Sequence, residues 1–71
     1  MGIIIMSLSE YIKKKRKANG LTQVELAERA GVGLRFVRDL EQGKKTLRMD
    51  KVNEVLALFG ERLWPVKIES V

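Results

Sequence analysis

The chain has 71 residues and no Cys or His, and its formal net charge is +5. That length supports one domain with a modest core. The composition excludes disulfides and the common zinc sites, so helix packing, a partner subunit or both must stabilise the fold. The longest apolar run, Ile3-Ile4-Ile5-Met6, is too short to span a membrane, and no basic segment precedes it to make a signal peptide.

In chain order, the first six residues read as an N-terminal extension, extended or disordered, and residues 7–60 as the folded domain. A first helix is predicted from about Ser7 to Ala18. Ser7 or Ser9 caps it, Leu8, Ile12 and the stem of Arg16 share one face, and Asn19-Gly20 closes it. The second helix opens on Thr22-Gln23-Val24-Glu25, a capping box in which Thr22 and Glu25 satisfy each other's amides. Leu26, Ala27 and Ala30 form its inward stripe and Gly31 stops it. A third helix is expected from about Leu34 to Gln42, closed by Gly43, with Val37 and Leu40 inward and Val32 plugging the turn. A fourth is expected from about Met49 to Phe59, with Val52, Val55, Leu56 and Phe59 at helical spacing and Gly60 as its cap.

After Gly60 the period changes. Trp64, Val66 and Ile68 alternate with Pro65, Lys67 and Glu69, the pattern of a half-buried strand within residues 61–71. A lone strand leaves its backbone groups unpaired. Its partner is therefore either Ile3–Met6 or the same strand of a second copy. Leu63, Trp64, Val66 and Ile68 are the candidate dimer interface, with intramolecular core as the alternative. Pro65 must then sit where no ladder donor is needed.

Positive charge falls in two blocks. Residues 1–20 hold five basic residues against Glu10, and residues 31–48 hold five against Asp39 and Glu41, while the intervening stretch is close to neutral. Brought together, these blocks make a face suited to a polyanion; kept apart, they are solvated helix faces.

From Leu21 to Glu41, a short helix, a Gly-containing turn and a second short helix meet the requirements of a helix-turn-helix. The residues Gly20-Leu21-Thr22-Gln23, Glu25-Leu26-Ala27, Ala30-Gly31-Val32, Val37, Leu40-Glu41 and Gly43 carry a resemblance to the Xre/Cro-like helix-turn-helix family, extending from about Leu8 to Phe59. The stretch from Gly31 to Lys44, with Thr46 and Arg48 to Val52, is similar to the HipB-like branch. The fold implied is mainly α, a four-helix, lambda-repressor-like domain followed by a short C-terminal β-strand that pairs across a dimer. Members of that branch are often antitoxins that repress their own operon and pair with a HipA-type serine/threonine kinase.

On this resemblance the third helix is the recognition helix. Gly33, Leu34, Arg35, Arg38 and Asp39 are its candidate base contacts, with Arg35 and Arg38 foremost because a guanidinium clamps guanine or phosphate with two bonds. Asp39 either accepts from a cytosine amino group or orients an arginine. Gly33 stands where the family often has Ser, Thr or Asp, and its bare amide allows close approach to a phosphate. Thr22, Gln23, Phe36, Lys44, Lys45, Thr46 and Arg48 are candidate phosphate contacts; the Thr22 cap is complete without DNA, and core packing is the equal alternative for Phe36. Some of Lys13, Lys14 and Lys17 are expected to face away and serve solubility. Arg16 and Glu41 occupy positions that pair in the family, linking the first and third helices.

No cofactor and no metal are expected. With neither His nor Cys, the usual general bases and nucleophiles of an enzyme are missing. The expected partners are double-stranded DNA, a second copy of the chain and, from the HipB-like branch, a HipA-type kinase toxin. The expected location is the bacterial cytoplasm, on the nucleoid when bound to an operator. Two other functions remain open: a protein-interaction module whose main role is neutralising such a kinase, and a nucleic-acid binder without sequence preference.

Overall fold

The computed structural model describes residues 7–67. The expectations for Ile3–Met6, Ile68 and Glu69 fall outside them. Four helices follow in order: α1 (Leu8–Ala18), α2 (Gln23–Ala30), α3 (Leu34–Glu41) and α4 (Met49–Ala57).

Local chemistry accounts for the helix boundaries. Ser7 caps α1 by accepting from the Glu10 amide at 3.3 Å. At the start of α2 the Glu25 amide donates to Thr22 Oγ1 at 3.1 Å and the Thr22 amide to Glu25 Oε1 at 2.9 Å, completing the capping box. Gly31 ends α2 at φ 73°, the left-handed region that glycine enters without steric cost. α3 begins at Gly33 with no side-chain cap and closes on Gln42. α4 ends at Ala57, two residues before the expected Phe59. There the Leu58, Phe59 and Gly60 amides donate to the carbonyls of Val55, Leu56 and Ala57, three residues back in each case. The tightening follows from the left-handed Gly60, which the α-helical ladder cannot pass.

The core is one cluster of Ile12, Leu21, Leu26, Ala27, Val37, Leu40, Val52, Val55 and Leu56. α2 and α3 pack closely across the Gly31 turn, α1 lies against α3, and α2 touches α4. Leu8, Val32, Leu34, Phe36, Leu47, Phe59 and Leu63 are half-buried around this centre. Val32 thus fills the turn as its position in the sequence suggests.

Residues 61–67 carry no regular secondary structure, and there is no strand among the described residues. Leu63 packs against the core, but Trp64 is 69% and Val66 84% exposed. The alternating pattern therefore does not lay an apolar face onto this chain's own core. No helix among the described residues is long and apolar enough to cross a membrane.

Two substitutions separate turn strain from packing. Nothing lies within 4 Å of a Cβ built on Gly31. Gly31→Ala should therefore cost only the left-handed strain, about 1–2 kcal/mol, whereas Leu26→Ala, a buried core truncation, should cost about 2–5 kcal/mol. Urea unfolding followed by circular dichroism checks both, with Leu26→Ala expected to show the lower midpoint.

Candidate nucleic-acid interface

The geometry around α3 begins with a buried charge pair. Arg16 Nε donates to Glu41 Oε2 at 2.7 Å and Arg16 Nη2 to Glu41 Oε1 at 3.0 Å, a two-bond clasp between α1 and α3. A third bond, from Nη1 to the Leu21 carbonyl at 2.9 Å, ties in the turn before α2. The two side chains are 12% and 1% exposed. Gln23 Nε2 adds a bond to Glu41 Oε1 at 3.2 Å, so the first residue of α2 is fixed to the end of α3.

Burial opposes ionisation of Glu41. The hydrogen bonds from Arg16 and Gln23, with the charges of Arg16 and Lys13, outweigh it and hold the carboxyl below the usual range. Hydrogen bonding to Glu41 in turn holds Arg16 protonated more firmly than usual, against the opposing effect of its burial. The Lys13 side chain itself stays exposed.

With its C-terminal end fixed in this way, α3 presents its remaining polar residues outward. The Arg35 side chain is 90% exposed and reaches Asp39 at 3.6 Å across one helical turn; Lys44 approaches the other Asp39 oxygen at 3.5 Å. Asp39 thus stands between a cation of α3 and one of the following loop. Arg38 is exposed and has no ion-pair partner among the described residues. Lys45 and Thr46 are exposed in the loop. Arg48 is engaged with Asp50, at 2.7 Å from Nη2 and 3.2 Å from Nε.

Leu34 and Phe36 are both half-buried against the core. For Phe36 this is the packing alternative. For Leu34 it leaves only the outer part of the side chain toward solvent. Gly33 is exposed, and the amides of the first turn of α3 lack a side-chain cap. Thr22 is exposed but spent on its capping box, whereas the Gln23 amide side chain points to Glu41.

Several polar contacts could not be read from the sequence, among them Tyr11 with Glu61, Lys15 with Glu61, Asn53 with the Leu63 amide, and Gln23 with Glu41. Tyr11 and Lys15 do lie one turn apart on the α1 face that Leu8 and Ile12 begin, a spacing legible in the sequence. Among the described residues no group of His, Cys, Asp or Glu is arranged to hold a metal.

A capped α2, a glycine turn and an α3 with cations at its surface are the parts of a DNA-reading helix-turn-helix, and residues 12–63 match the family model described as helix-turn-helix. The chain belongs to that family, in its Xre/Cro-like form. It is also 56% identical over 53 residues, covering 75% of this chain and 70% of the relative, to y4mF of Sinorhizobium fredii, described as an uncharacterized HTH-type transcriptional regulator. The chain is thus a DNA-binding regulator of the helix-turn-helix class.

The Arg16–Glu41 pair contributes to the loss of stability in acid. Because the folded-state pKa of Glu41 is depressed, its contribution is complete above the ordinary glutamate value and is lost as pH falls through the lowered one. The difference in urea stability between wild type and Glu41→Gln should therefore shrink on acidification below about pH 4.3. Arg16→Met, which strands the buried carboxylate, should cost about 3–5 kcal/mol at neutral pH.

Proposed function

We propose that this chain is a homodimeric transcriptional repressor that reads a palindromic operator, that of its own operon included, through Arg35 and Arg38. The observation that carries this reading is the surface of α3, where Arg35 is almost fully exposed and Arg38 has no acidic partner among the described residues. Exposed guanidinium groups on the second helix of the motif suit guanine edges in a major groove. Gly33, Asp39 and the outer edge of Leu34 complete the base-facing set. Asp39 steers Arg35 within it.

Phosphate contacts come from both sides of α3. Lys44, Lys45 and Thr46 lie in the exposed loop, and Arg48 joins them by exchanging Asp50 for a phosphate. Thr22 and Gln23 sit at the start of α2, where unbonded amides and the helix dipole favour an anion. Phe36 contributes by holding α3 against the core.

The dimer is supported by the tail. Leu63 packs on the core, and the next apolar residues, Trp64 and Val66, are left in solvent beside an exposed Met49. A second copy covers them if residues from Leu63 onward pair antiparallel across a two-fold axis, which also supplies the missing ladder partner. The antitoxin role follows from the HipB-like resemblance, which names a HipA-type kinase as second partner and the cytoplasm as the place of action. The same exposed apolar tail favours protein contact of either kind.

Gel shifts against the DNA upstream of the gene test the reading. Arg35→Ala and Arg38→Ala should each weaken binding by about 1–3 kcal/mol, roughly 5- to 150-fold, without loss of helix content. If about eight phosphates are neutralised, log K should fall with log salt at a slope of about −7. Equal affinity for scrambled DNA, or a slope near zero, overturns the reading. Sedimentation should show a dimer that Trp64→Ala shifts to monomer.

A further inference from the structure

One polar cluster lies away from the DNA-reading face, where α1 meets the start of the tail. The Tyr11 hydroxyl donates to Glu61 Oε2, Lys15 Nζ lies 3.4 Å from the same oxygen, and the Lys15 ammonium sits 6.0 Å from the centre of the Tyr11 ring. The other carboxylate oxygen, Oε1, is buried without a hydrogen-bond partner among the described residues. Glu61 is therefore held by α1 through a single oxygen. The Tyr11 bond keeps its carboxyl below the usual range against the cost of burial, and Lys15 adds to the effect.

Backbone bonds fix the same point from the other side. The Gly60 amide donates to the Ala57 carbonyl at 3.0 Å and the Glu61 amide to that of Leu56 at 3.0 Å, a left-handed closure of α4. Two residues on, the Leu63 amide donates to Asn53 Oδ1 at 2.7 Å. Past Leu63, Trp64 and Val66 are largely exposed. Arg62 stacks its guanidinium 4.6 Å from the centre of the Trp64 ring, which further limits where the indole points.

We infer that Tyr11, Lys15, Glu61 and Asn53 form a clamp that sets the direction in which the tail leaves the domain, and through it the spacing between the two recognition helices of the dimer. They are positioning residues: they touch neither DNA nor the second copy, and they specify which half-site separation is read. The inference rests on the tail-mediated dimer proposed above. Geometry makes the clamp consequential. Half-sites about 34 Å apart span about ten base pairs, so a rotation at the clamp that carries each α3 by only about 3.4 Å shifts it by a whole base pair. A tail attached loosely to α4 lets the two domains settle on several spacings; a tail held at Glu61 and Leu63 admits one.

The test uses an inverted repeat selected in vitro against the wild-type protein, the same repeat with one base pair added to or removed from its centre, and a duplex with a single half-site. Wild type should bind the altered repeats at least about tenfold more weakly than the selected one, since simultaneous engagement of both half-sites depends on geometry. Tyr11→Phe, which removes only a hydroxyl, and Glu61→Ala should reduce that penalty to less than about threefold. Both should leave single half-site affinity unchanged and remain dimers in sedimentation. Dimeric variants that keep the full penalty overturn the inference while leaving the dimer intact. A monomeric wild type overturns the dimer itself, and the clamp's role in spacing with it.

Discussion

The fold depends on one ion pair. Arg16 and Glu41 bring together α1, the turn before α2, the first residue of α2 and the last residue of α3, because the guanidinium spends its donors on Glu41 and the Leu21 carbonyl while Gln23 joins the same carboxylate. In a core of nine buried apolar residues an unpaired charge would be prohibitive. The two-bond geometry and the added amide make this one tolerable, and in return it specifies a single arrangement of three helices. For a motif that reads DNA by the angle of one helix, that specificity matters more than the net energy of the pair.

The pair also explains how a basic chain divides its cations. Of the five consecutive cations Lys13 to Lys17, Arg16 is structural and Lys15 serves the tail through Glu61. Lys13, Lys14 and Lys17 remain exposed. In α3 and its loop, the acidic groups are placed so that they leave the outward charge positive. Glu41 is turned inward, and Asp39 lies between Arg35 and Lys44 rather than facing solvent alone. A count of charge along the sequence treats all these groups alike. Their separate duties emerge only from their partners.

What was legible in the sequence was local. The Thr22–Glu25 box, the Ser7 cap and the Gly31 turn depend on residues within a few positions of one another, and each stands where the cap chemistry puts it. The end of α4 was less legible, because apolar spacing runs on to Phe59 while the backbone has already tightened toward Gly60. The periodicity of Leu34 and Phe36 did not say which side they favour, since at the edge of a small motif one side chain can touch both core and surroundings. The Tyr11–Glu61 contact spans 50 residues and so leaves no local trace. The Arg16–Glu41 pair spans 25 and was reached only through family resemblance.

The tail shows where periodicity stops being informative. Alternation of Trp64, Val66 and Ile68 states that one side of an extended segment is apolar, but not what covers it. Among the described residues Trp64 and Val66 stay largely exposed, and no strand pairs with the backbone there. A helix-turn-helix of this size makes few base contacts by itself, and a second copy joined through the tail multiplies its effective concentration at the adjoining half-site only where the geometry lets both bind together. On the dimer proposed here, the tail is thus part of the reading apparatus. On the same proposal, affinity comes from the cations of α3 and its loop, whereas selectivity for a paired site depends on how rigidly Leu63 and Glu61 are held. The same economy that leaves so small a domain one core places a partner of both the Arg16–Glu41 pair and the Glu61 cluster on α1, a helix outside the two-helix motif itself.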